Sequence, residues 1–585
     1  YLLGIARLKA GVAVEAANAE VKTLGQRLKE LYPNSNTHKP LLVRSLYYEM
    51  TSDTRSQVGL LFGAVCLVLL VACGNVASML LARSARRQGE FGVRVALGAT
   101  RGDLVRLALA ESLLLAALGA ALGLALAYGG IEVMKAIAPV SPSRRAAMVL
   151  DLPVLGFGVG AALMTALLAG LPPALAAMRT SLAGVMRADA RGQVGSKQRH
   201  RMLRTLIIAQ VAVAFVLANG AVLFSSAYMK LLEDNRSISA ESVLSAQVSL
   251  RGPRYKENAD RVRYWYQLVE RVQSLPGVTS VGITSKLPLE GGSNTSALIN
   301  DQVYDPAAKR LFVERSSVTE DYFAAMGLKL IKGRNLRAED REGDIRGVVV
   351  NRELVKQAWP DKEPLGEIMR ANQPEKPWYV VRVVGIVDDV KQHGADRPVK
   401  PEMYTTPEGH WGNSVNIVIR ADVPVAQIVP LLRAEVAALD GELPLRQIRT
   451  MSEVVATATQ GQRAIAGLVN FFMVVALGLV AVGLYGTLSY HVQQRTREIG
   501  VRVAIGAMKG DIARLVFGQG GRWVGIGLVL GLAGSVGLSF ALKSLVYRME
   551  GLSVPPLALA AAAVAVAALF ACWIPARRAA RLDPL

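Results

Sequence analysis

Seven long uncharged stretches constrain the fold of this chain more than any other feature of its sequence. They cover Ser56–Ala82, Ser112–Ile131, Leu152–Met178, Thr205–Met229, Ala464–Tyr490, Trp523–Leu542 and Leu552–Ala576. A helix rising about 1.5 Å per residue needs about 20 apolar residues to cross a hydrocarbon core of about 30 Å. The Ala- and Gly-rich stretch 112–131 could by itself be a buried core helix. Seven such stretches flanked by charge instead predict seven membrane spans.

A duplicated segment lies between two pairs of these stretches. Residues 90–106 read EFGVRVALGATRGDLVR and residues 498–514 read EIGVRVAIGAMKGDIAR, an offset of 408 with 11 of 17 positions identical. Each copy follows one uncharged stretch and precedes the next. The repeat therefore predicts two related halves, each with a short charged segment between two spans.

The positions of Lys and Arg predict the orientation of the spans. Segments 82–106, 179–204, 491–514 and 577–585 together carry 21 basic and 6 acidic residues, a net +15 of the chain's +21. Because short cytoplasmic connections are enriched in Lys and Arg, these four segments are predicted to be cytoplasmic. Seven alternating spans place the same four segments on one side. The charge is divided among loops without interleaved aromatic residues, so we predict no nucleic-acid partner.

The long connection between the fourth and fifth spans has a different composition. Short β-branched runs at Val278–Thr284, Gly347–Asn351, Val380–Val387 and Val415–Ile419 predict strands, and Asn258–Ser274, Thr319–Met326 and Val425–Leu439 are predicted helices. An α+β domain outside the cytoplasm follows from this pattern. Residues 1–55, with one amphipathic helix at Ala13–Tyr32, are predicted to be the end of a similar domain. Duplication then predicts one further span and most of a domain before Tyr1, giving eight spans in all.

The repeated motif and the outer domain resemble the MacB/FtsX-type ABC transporter permeases. The resemblance rests on the two repeat copies, on Val318–Phe323, Gly333-Arg334, Val348–Pro360, Pro364–Gly366 and Val383–Asp389, and on Pro173-Ala174 and Pro575-Ala576. It covers essentially the whole chain, which is similar to the duplicated permeases abundant in Acidobacteria. The fold class it implies is a polytopic α-helical membrane protein with an α+β extracytoplasmic domain, MacB-like periplasmic core, and two tandem FtsX-like permease halves.

The resemblance also implies a division into domains along the chain. We expect a remnant of a first extracytoplasmic domain (1–55), a first FtsX-like permease domain (56–178, coupling segment 83–107), a basic cytoplasmic linker (179–204), a span (205–229), a MacB-like periplasmic core domain (230–463), a second FtsX-like permease domain (464–576, coupling segment 491–515) and a cytoplasmic tail (577–585). The expected location is the bacterial cytoplasmic (inner) membrane, with multiple passes through the lipid bilayer.

The repeated segments are the predicted functional site. In the family the corresponding region is a coupling helix that docks on an ATPase, which implies roles for Glu90, Gly92, Arg94, Gly98, Asp103, Glu498, Gly500, Arg502, Gly506 and Asp511. We expect Val93, Val95, Ala96 and Leu97 to face the spans, and Glu90, Arg94 and Asp103 to point outward. Alternatively, the segments could be basic anchors on anionic lipid. The Glu, Gly and Asp kept at fixed positions argue against that alternative, since lipid attraction needs only positive charge.

Small residues in the spans predict close helix packing. Gly119/Gly123 and Gly527/Gly531 lie at the same offset of 408, and such pairs let helix backbones approach closely. We expect them to form the contact between the two halves.

The chain shows little sign of chemistry of its own. It contains no G-x-x-x-x-G-K-[ST] loop, so we predict that it is not an enzyme and that a partner hydrolyses ATP. Its five His residues are scattered without metal-ligand spacing, and Cys66, Cys73 and Cys572 all lie inside predicted spans. The paired carboxylates Glu320-Asp321 and Asp388-Asp389 are read as solvated loop charges. No catalytic residue, metal or cofactor is predicted.

The partners expected from the resemblance are a cytoplasmic ABC ATPase (MacB-, LolD- or FtsE-like), in two copies, and a periplasmic membrane fusion protein. The favoured function is export of antimicrobial compounds, peptides or lipids, driven by conformational change of the periplasmic domains. Two alternatives stay open: an FtsX-like transmembrane regulator of a cell-wall hydrolase, and a permease that releases lipoproteins.

Overall fold

A computed structural model describes residues 4–32, 41–86, 90, 94, 97–137, 148–178, 197–238, 240–299, 311–341, 343–373, 376–406, 414–505, 507–542 and 554–579. Its helices are α1 (Val14–Leu31), α2 (Leu46–Arg86), α3 (Arg101–Ile137), α4 (Leu152–Met178), α5 (Lys197–Asp234), α6 (Asn258–Gln273), α7 (Tyr322–Met326), α8 (Arg352–Ala358), α9 (Val425–Leu439), α10 (Met451–Ala458), α11 (Gln460–Gln494), α12 (Thr496–Ala504), α13 (Lys509–Leu542) and α14 (Val554–Ala579). Its strands are β1 (Val243–Ser249), β2 (Val278–Thr284), β3 (Ser293–Ile299), β4 (Leu311–Ser317), β5 (Leu330–Gly333), β6 (Ile345–Asn351), β7 (Ile368–Gln373), β8 (Lys376–Val387), β9 (Glu402–Thr405), β10 (Ser414–Ala421) and β11 (Leu445–Thr450).

The chain forms two compact units. One comprises Tyr1–Asp53 and Tyr228–Ala464, and the other comprises Thr54–Ala227 and Ile465–Leu585. These divisions lie within a few residues of the predicted limits at 55, 229 and 463. The roles assigned to the individual segments remain predictions.

The first unit contains the predicted α+β domain, built on two sheets. A four-stranded antiparallel sheet has the order β11-β1-β10-β2, and helices α6 and α9 bury Trp265, Leu268, Ile428 and Leu432 in the same core as its strands. The strands predicted at Val278–Thr284 and Val415–Ile419 are β2 and the centre of β10. Both are rich in β-branched residues, which pack well on a pleated surface.

The second sheet has the order β5-β8-β6-β9-β4-β3-β7. Because β8 also pairs with β7, six of its strands close into a ring, with β5 attached outside at β8. The ring encloses a core that includes Val348, Val350 and Met403. The Asn351 side chain begins α8 by accepting a hydrogen bond from the Leu354 N–H at 2.9 Å, as an N-cap residue does.

The second unit is a bundle of long helices. Helix α5 lies at the centre of this bundle, and 61% of its most apolar 18-residue segment is buried. Its residues Val211, Ala214 and Phe215 share a core with residues of α2, α11, α13 and α14. Helix α3 packs along α4, and 6% of its most apolar 18-residue segment is buried. The apolar runs therefore form a helical bundle, as their length and hydropathy predict.

Six helices of the described chain are long and apolar enough to cross a membrane: α2, α3, α5, α11, α13 and α14. Helix α4 has the predicted bounds, but its described apolar part, Leu152–Leu168, is shorter. The count of seven spans stays a prediction. Several helices extend beyond the uncharged runs, and α2 begins at Leu46, ten residues before Ser56, because charged and polar residues also continue a helix.

Candidate functional site

The second repeat copy contains a short helix with an exposed ion pair. In α12 the Arg502 guanidinium donates to Glu498 Oε1 at 2.8 Å, and each side chain is about half exposed. The first copy has the same pair at the same spacing, with Arg94 donating to Glu90 Oε1 at 2.7 Å. Such an i,i+4 pair on an exposed surface supports a helix only weakly.

The first of these helical segments ends at a glycine. Gly98 has a φ of 94°, a left-handed conformation that favours glycine, and the Ala99 N–H donates to the Arg94 carbonyl at 2.9 Å. The Ala507 N–H donates to the Arg502 carbonyl at the same distance. Gly98 therefore ends this helical segment. The predicted residues Gly92 and Gly506 lie outside the described residues, as do Val93, Val95 and Ala96. Gly500 is described and lies within α12.

The two aspartates of the motif cap the following helices, and Asp103 is also exposed, as expected. Asp103 Oδ2 accepts from the Thr100 N–H at 2.9 Å and from the Thr100 hydroxyl at 2.7 Å at the start of α3. Asp511 Oδ2 accepts from the Met508 N–H at 3.0 Å at the start of α13. Both carboxylates satisfy backbone donors that a helix N-terminus leaves free.

The expectation that Leu97 faces the spans is wrong. Leu97 is 82% exposed, and the residues equivalent to Val93 and Leu97 in the second copy, Val501 and Ile505, are 58% and 81% exposed. Among the described side chains of α12, the buried one is Ile499, which packs with Ile512, Val516, Ala576 and Ala579. Two residues turn a helix by about 200°, so Val501 lies on the face opposite Ile499. The apolar row is therefore exposed beside the ion pair.

The repeated glycine pairs do not have equivalent surroundings. A Cβ placed on Gly527 would lie 2.6 Å from Val211 Cγ1, and one on Gly531 would lie 2.9 Å from the Ala212 carbonyl oxygen. Both glycines of α13 thus pack against α5. Gly119 and Gly123 on α3 have no described atom within 4 Å of such a Cβ. The expectation that these pairs join the two halves is wrong, because by the duplication α5 is the first span of the second half itself.

A polar contact between α2 and α11 joins the halves instead, and sequence reasoning did not find it. The Asn75 amide donates to the Leu479 carbonyl at 2.6 Å, and a Cβ on Gly483 would lie 2.1 Å from Asn75 Oδ1. Residues 75 and 483 are 408 apart, so they are equivalent positions of the repeat. The Gln210 amide of α5 lies against Gly74 and Gly483. The signal was present as single polar residues in apolar runs.

The bundle also brings together two histidines that are distant in sequence. The rings of His200 and His491 stack with centroids 4.9 Å apart, and Trp523 lies 5.3 Å from His491. Among the described residues no group of three or more His, Cys, Asp or Glu side chains is placed to hold a metal ion.

In the α+β domain one carboxylate of each predicted pair accepts a hydrogen bond from a neighbouring segment. Asp389 Oδ1 accepts from the Glu353 N–H at 2.9 Å at the start of α8, and Glu320 Oε1 accepts from Arg341 Nε at 2.7 Å. A buried ionic network was not predicted: Glu314 contacts His393 Nε2 at 2.8 Å and Lys286 Nζ at 3.2 Å. Burial raises the pKa of Glu314, but the His393 hydrogen bond and the Lys286 charge outweigh it and keep the pKa below its ordinary value.

Two protein families match this chain. The FtsX-like permease C-terminal family matches residues 62–182 and 470–584, and the MacB-like periplasmic core domain family matches residues 205–435. The macrolide export ATP-binding/permease protein MacB of Escherichia coli K12 is 26% identical over 280 residues, and its counterpart from Shigella flexneri is 27% identical over 282. Each match covers 46% of this chain and 42% of the relative. The chain thus matches less than half the length of these relatives.

Two solved structures are also similar to part of this chain. The periplasmic region of MacB from Actinobacillus actinomycetemcomitans is 18% identical, with a TM-score of 0.26, and covers 40% of this chain and 98% of that one. The extracellular domain of the noncanonic ABC-type transporter YknZ from Gram-positive bacteria is 13% identical, with a TM-score of 0.24, and covers 35% and 100%.

Proposed function

The chain belongs to the MacB/FtsX-type ABC transporter permeases, and we propose that it couples an ATPase outside these 585 residues to movement of its α+β domain. In this proposal two ATPase subunits bind the two repeated segments. The work of the complex is export of antimicrobial compounds, peptides or lipids, aided by a periplasmic membrane fusion protein.

The observation that carries the proposal is the exposed surface of the repeated segments. In α12 the apolar side chains of Val501 and Ile505 project beside the Glu498–Arg502 ion pair, and Met508 follows at 77% exposure. An apolar row next to paired charges of both signs suits a protein groove. Apolar contacts at the centre of an interface supply affinity, and charges beside them set register.

A lipid surface explains this arrangement less well. Attachment to anionic lipid calls for positive charge and an apolar face, whereas each copy places a carboxylate within 3 Å of its arginine. That pairing cancels much of the attraction to lipid headgroups. The ion pair is instead suited to a protein partner that offers both a hydrogen-bond donor and a hydrogen-bond acceptor.

Packing contacts connect α12 directly to other helices of the bundle. Ile499 of α12 packs with Ile512 and Val516 of α13 and with Ala576 and Ala579 of α14. The Asp511 cap fixes the chain between α12 and α13 at Met508. A force on α12 therefore displaces the ends of α13 and α14 together, since a closely packed cluster transmits displacement rather than absorbing it.

Hydrolysis is assigned to a partner because the 585 residues contain no G-x-x-x-x-G-K-[ST] loop. ATP binding between two ATPase subunits would draw the two docking segments together. The chain's own residues then act by holding the ATPase and passing on its motion.

A charge swap tests the docking role. The double variant Glu498→Arg/Arg502→Glu keeps the ion pair within α12 but reverses its direction on the surface. We expect the affinity of this segment for its ATPase subunit to fall by roughly tenfold, because register-setting charges are inverted while the helix is retained, and we expect the first copy to keep its own subunit. The measurement is the amount of ATPase retained, and its hydrolysis rate, after purification in mild detergent.

The matched control reverses an exposed pair elsewhere on the bundle, Glu132→Lys/Lys135→Glu on α3, which also forms an ion pair at 2.8 Å. It should retain the ATPase fully. Unchanged binding in the α12 swap would remove the docking role and favour the lipid-anchor interpretation.

A further inference from the structure

A short segment between β8 and β9, residues 390–396, lies against the end of helix α5. The Asn235 amide, directly after this helix, donates to the Ala395 carbonyl at 3.4 Å. Lys391 Nζ donates to the same carbonyl at 2.7 Å and lies 3.7 Å from Oδ2 of Asp234, the last residue of the helix. Because Lys391 and Ala395 are both buried, solvent ions screen these contacts only weakly. The end of α5 is therefore held firmly against the segment.

The start of helix α11 contacts the same segment. The Gln462 amide donates to Asp396 Oδ2 at 3.2 Å. In sequence, both helices are neighbours of the four-stranded sheet, since α5 precedes β1 and β11 precedes α10 and α11. The 390–396 segment instead joins β8 to β9, two strands of the ring. It thus brings the ring into contact with two helices that are distant from the ring in sequence.

On its other side the segment is fixed in the ring by buried polar contacts. Gln392 Nε2 donates to Glu402 Oε2 at 2.8 Å, and His393 Nε2 lies 2.8 Å from Glu314 Oε1. Both carboxylates are almost fully buried, Glu402 on β9 and Glu314 on β4. Removing a partner from a buried carboxylate is costly. A shift of the segment therefore favours movement of β4 and β9 with it.

A third contact is with the loop that connects the two sheets, residues 286–292 between β2 and β3. The Leu289 N–H donates to the Lys391 carbonyl at 3.0 Å, and the Gly291 N–H donates to the Gln392 carbonyl at 2.7 Å. Leu289 has a φ of 71°, a left-handed conformation that is unfavourable for a residue with a Cβ and persists only where the surroundings hold it. The 390–396 segment therefore helps to hold this loop in one arrangement.

We propose that the 390–396 segment is a relay that carries movement of α5 and α11 into the ring of the α+β domain, with Lys391 as its main positioning residue. The relay rests on the proposed function, because it requires an ATPase that moves these helices. The segment suits this role since it contacts both helices, the ring and the loop between the two sheets, and coupling travels through such contiguous polar and packed contacts. A displaced helix end then shifts the ring relative to the four-stranded sheet.

Hydrogen–deuterium exchange tests the relay in the full chain bound to its co-purifying ATPase. The probe is ATP with orthovanadate, and the measured quantity is the nucleotide-dependent difference in deuterium uptake of peptides that cover β4 and β9. Lys391→Met removes the donor to Ala395 and the partner of Asp234 but keeps a long side chain. We expect this difference to fall at least about threefold, since single changes along a coupling network alter coupling by several-fold. The bound ATPase, and the uptake difference near the end of α5, should be retained.

Two matched variants separate a relay from a contact that only stabilises the domain. Lys391→Arg keeps a cation and a donor, so it should restore most of the uptake difference in the ring. Lys362→Met removes an exposed ion pair with Glu367, at 2.7 Å, elsewhere in the same domain. This variant should show the same uptake difference as the unmodified chain.

A further variant acts at the contact with α11 and does not depend on the buried lysine. Asp396 is exposed, so Asp396→Ala removes the contact with Gln462 at little cost to folding and should lower the uptake difference by a smaller factor. An undiminished difference in both Lys391→Met and Asp396→Ala would overturn the relay. So would an unmodified complex in which nucleotide changes uptake at the end of α5 but not in β4 and β9. Failure of the unmodified chain to retain any ATPase would contradict the proposed function itself, and the relay with it.

Discussion

Helices α3 and α13 carry the same glycine pair, yet only one pair has a partner helix among the described residues. Gly527 and Gly531 of α13 lie against Val211, Ala212 and Phe215 of α5. Gly119 and Gly123 of α3 have open space where a side chain would be. A small-xxx-small pair thus permits close helix packing, but the helix–helix contact forms only where a second helix is present.

Some structural features of the repeat are the same in both copies, and others differ. The parts that both copies use alike are local: the Glu–Arg pair, the reversal of the chain after the helix, and the Asp cap that starts the next helix. Helix packing, by contrast, differs between the copies. Local geometry is therefore encoded within each segment, whereas packing depends on neighbours that the two copies do not share.

The largest expected effect comes from filling the glycine pair of α13. In Gly527→Leu/Gly531→Leu the new side chains meet backbone as well as side chains of α5, and overpacking costs about 1–3 kcal/mol at each site. We expect loss of folded protein, measured by size-exclusion chromatography and thermal unfolding in detergent. The counterpart Gly119→Leu/Gly123→Leu should remain folded. Comparable losses in both variants would show that α3 is packed as tightly as α13.

A second, intermediate effect should distinguish one docking segment from two. Reversing Glu90 and Arg94 alone, or Glu498 and Arg502 alone, removes one of two binding surfaces, so each variant should keep part of the ATPase stimulation. Reversing both copies should abolish it. The measurement is the ATP hydrolysis rate of the purified complex, at equal amounts of permease. Full stimulation in the variant with both copies reversed would contradict equivalent docking roles.

The smallest effect concerns the two helix caps. Asp103 binds both the N–H and the hydroxyl of Thr100, whereas Asp511 binds only the N–H of Met508. Asp103→Ala should therefore lower the Tm by about 2 °C, and Asp511→Ala by less. Met508→Thr supplies the missing hydroxyl and should raise the Tm slightly. A larger loss for Asp511→Ala than for Asp103→Ala would reverse this ranking of the caps.

Much of the architecture could be predicted from the sequence. The long uncharged stretches predicted the long helices of the bundle, and the β-branched runs predicted strands β2, β6, β8 and β10. Strand β4 was missed because its sequence, LFVERSS, contains Glu314, whose buried charge is stabilised by His393 and Lys286 from elsewhere in the chain. No local pattern reveals a carboxylate whose partners come from distant segments.

The sequence predicted where the candidate site lies more accurately than the role of each of its residues. Repetition identified Glu90, Arg94 and their equivalents, but it could not distinguish a docking carboxylate from a capping one. The aspartates differ from the glutamates in lying in the first turn of the next helix, and recognising this requires the helix start at Arg101 or Lys509 to be known. Asn75 was overlooked because its repeat equivalent is Gly483, so the two positions do not match in sequence.

That mismatch between Asn75 and Gly483 has a consequence for how such a protein can evolve. In a homodimer, a residue on the symmetry axis meets its own copy, so an asparagine would face an asparagine and a glycine a glycine. A side chain inserted against a bare backbone at the same position requires two different residues, and one gene encoding one half cannot supply them. Once both halves are joined in a single polypeptide, each side of the junction can mutate independently, and a complementary pair such as Asn75 and Gly483 becomes accessible.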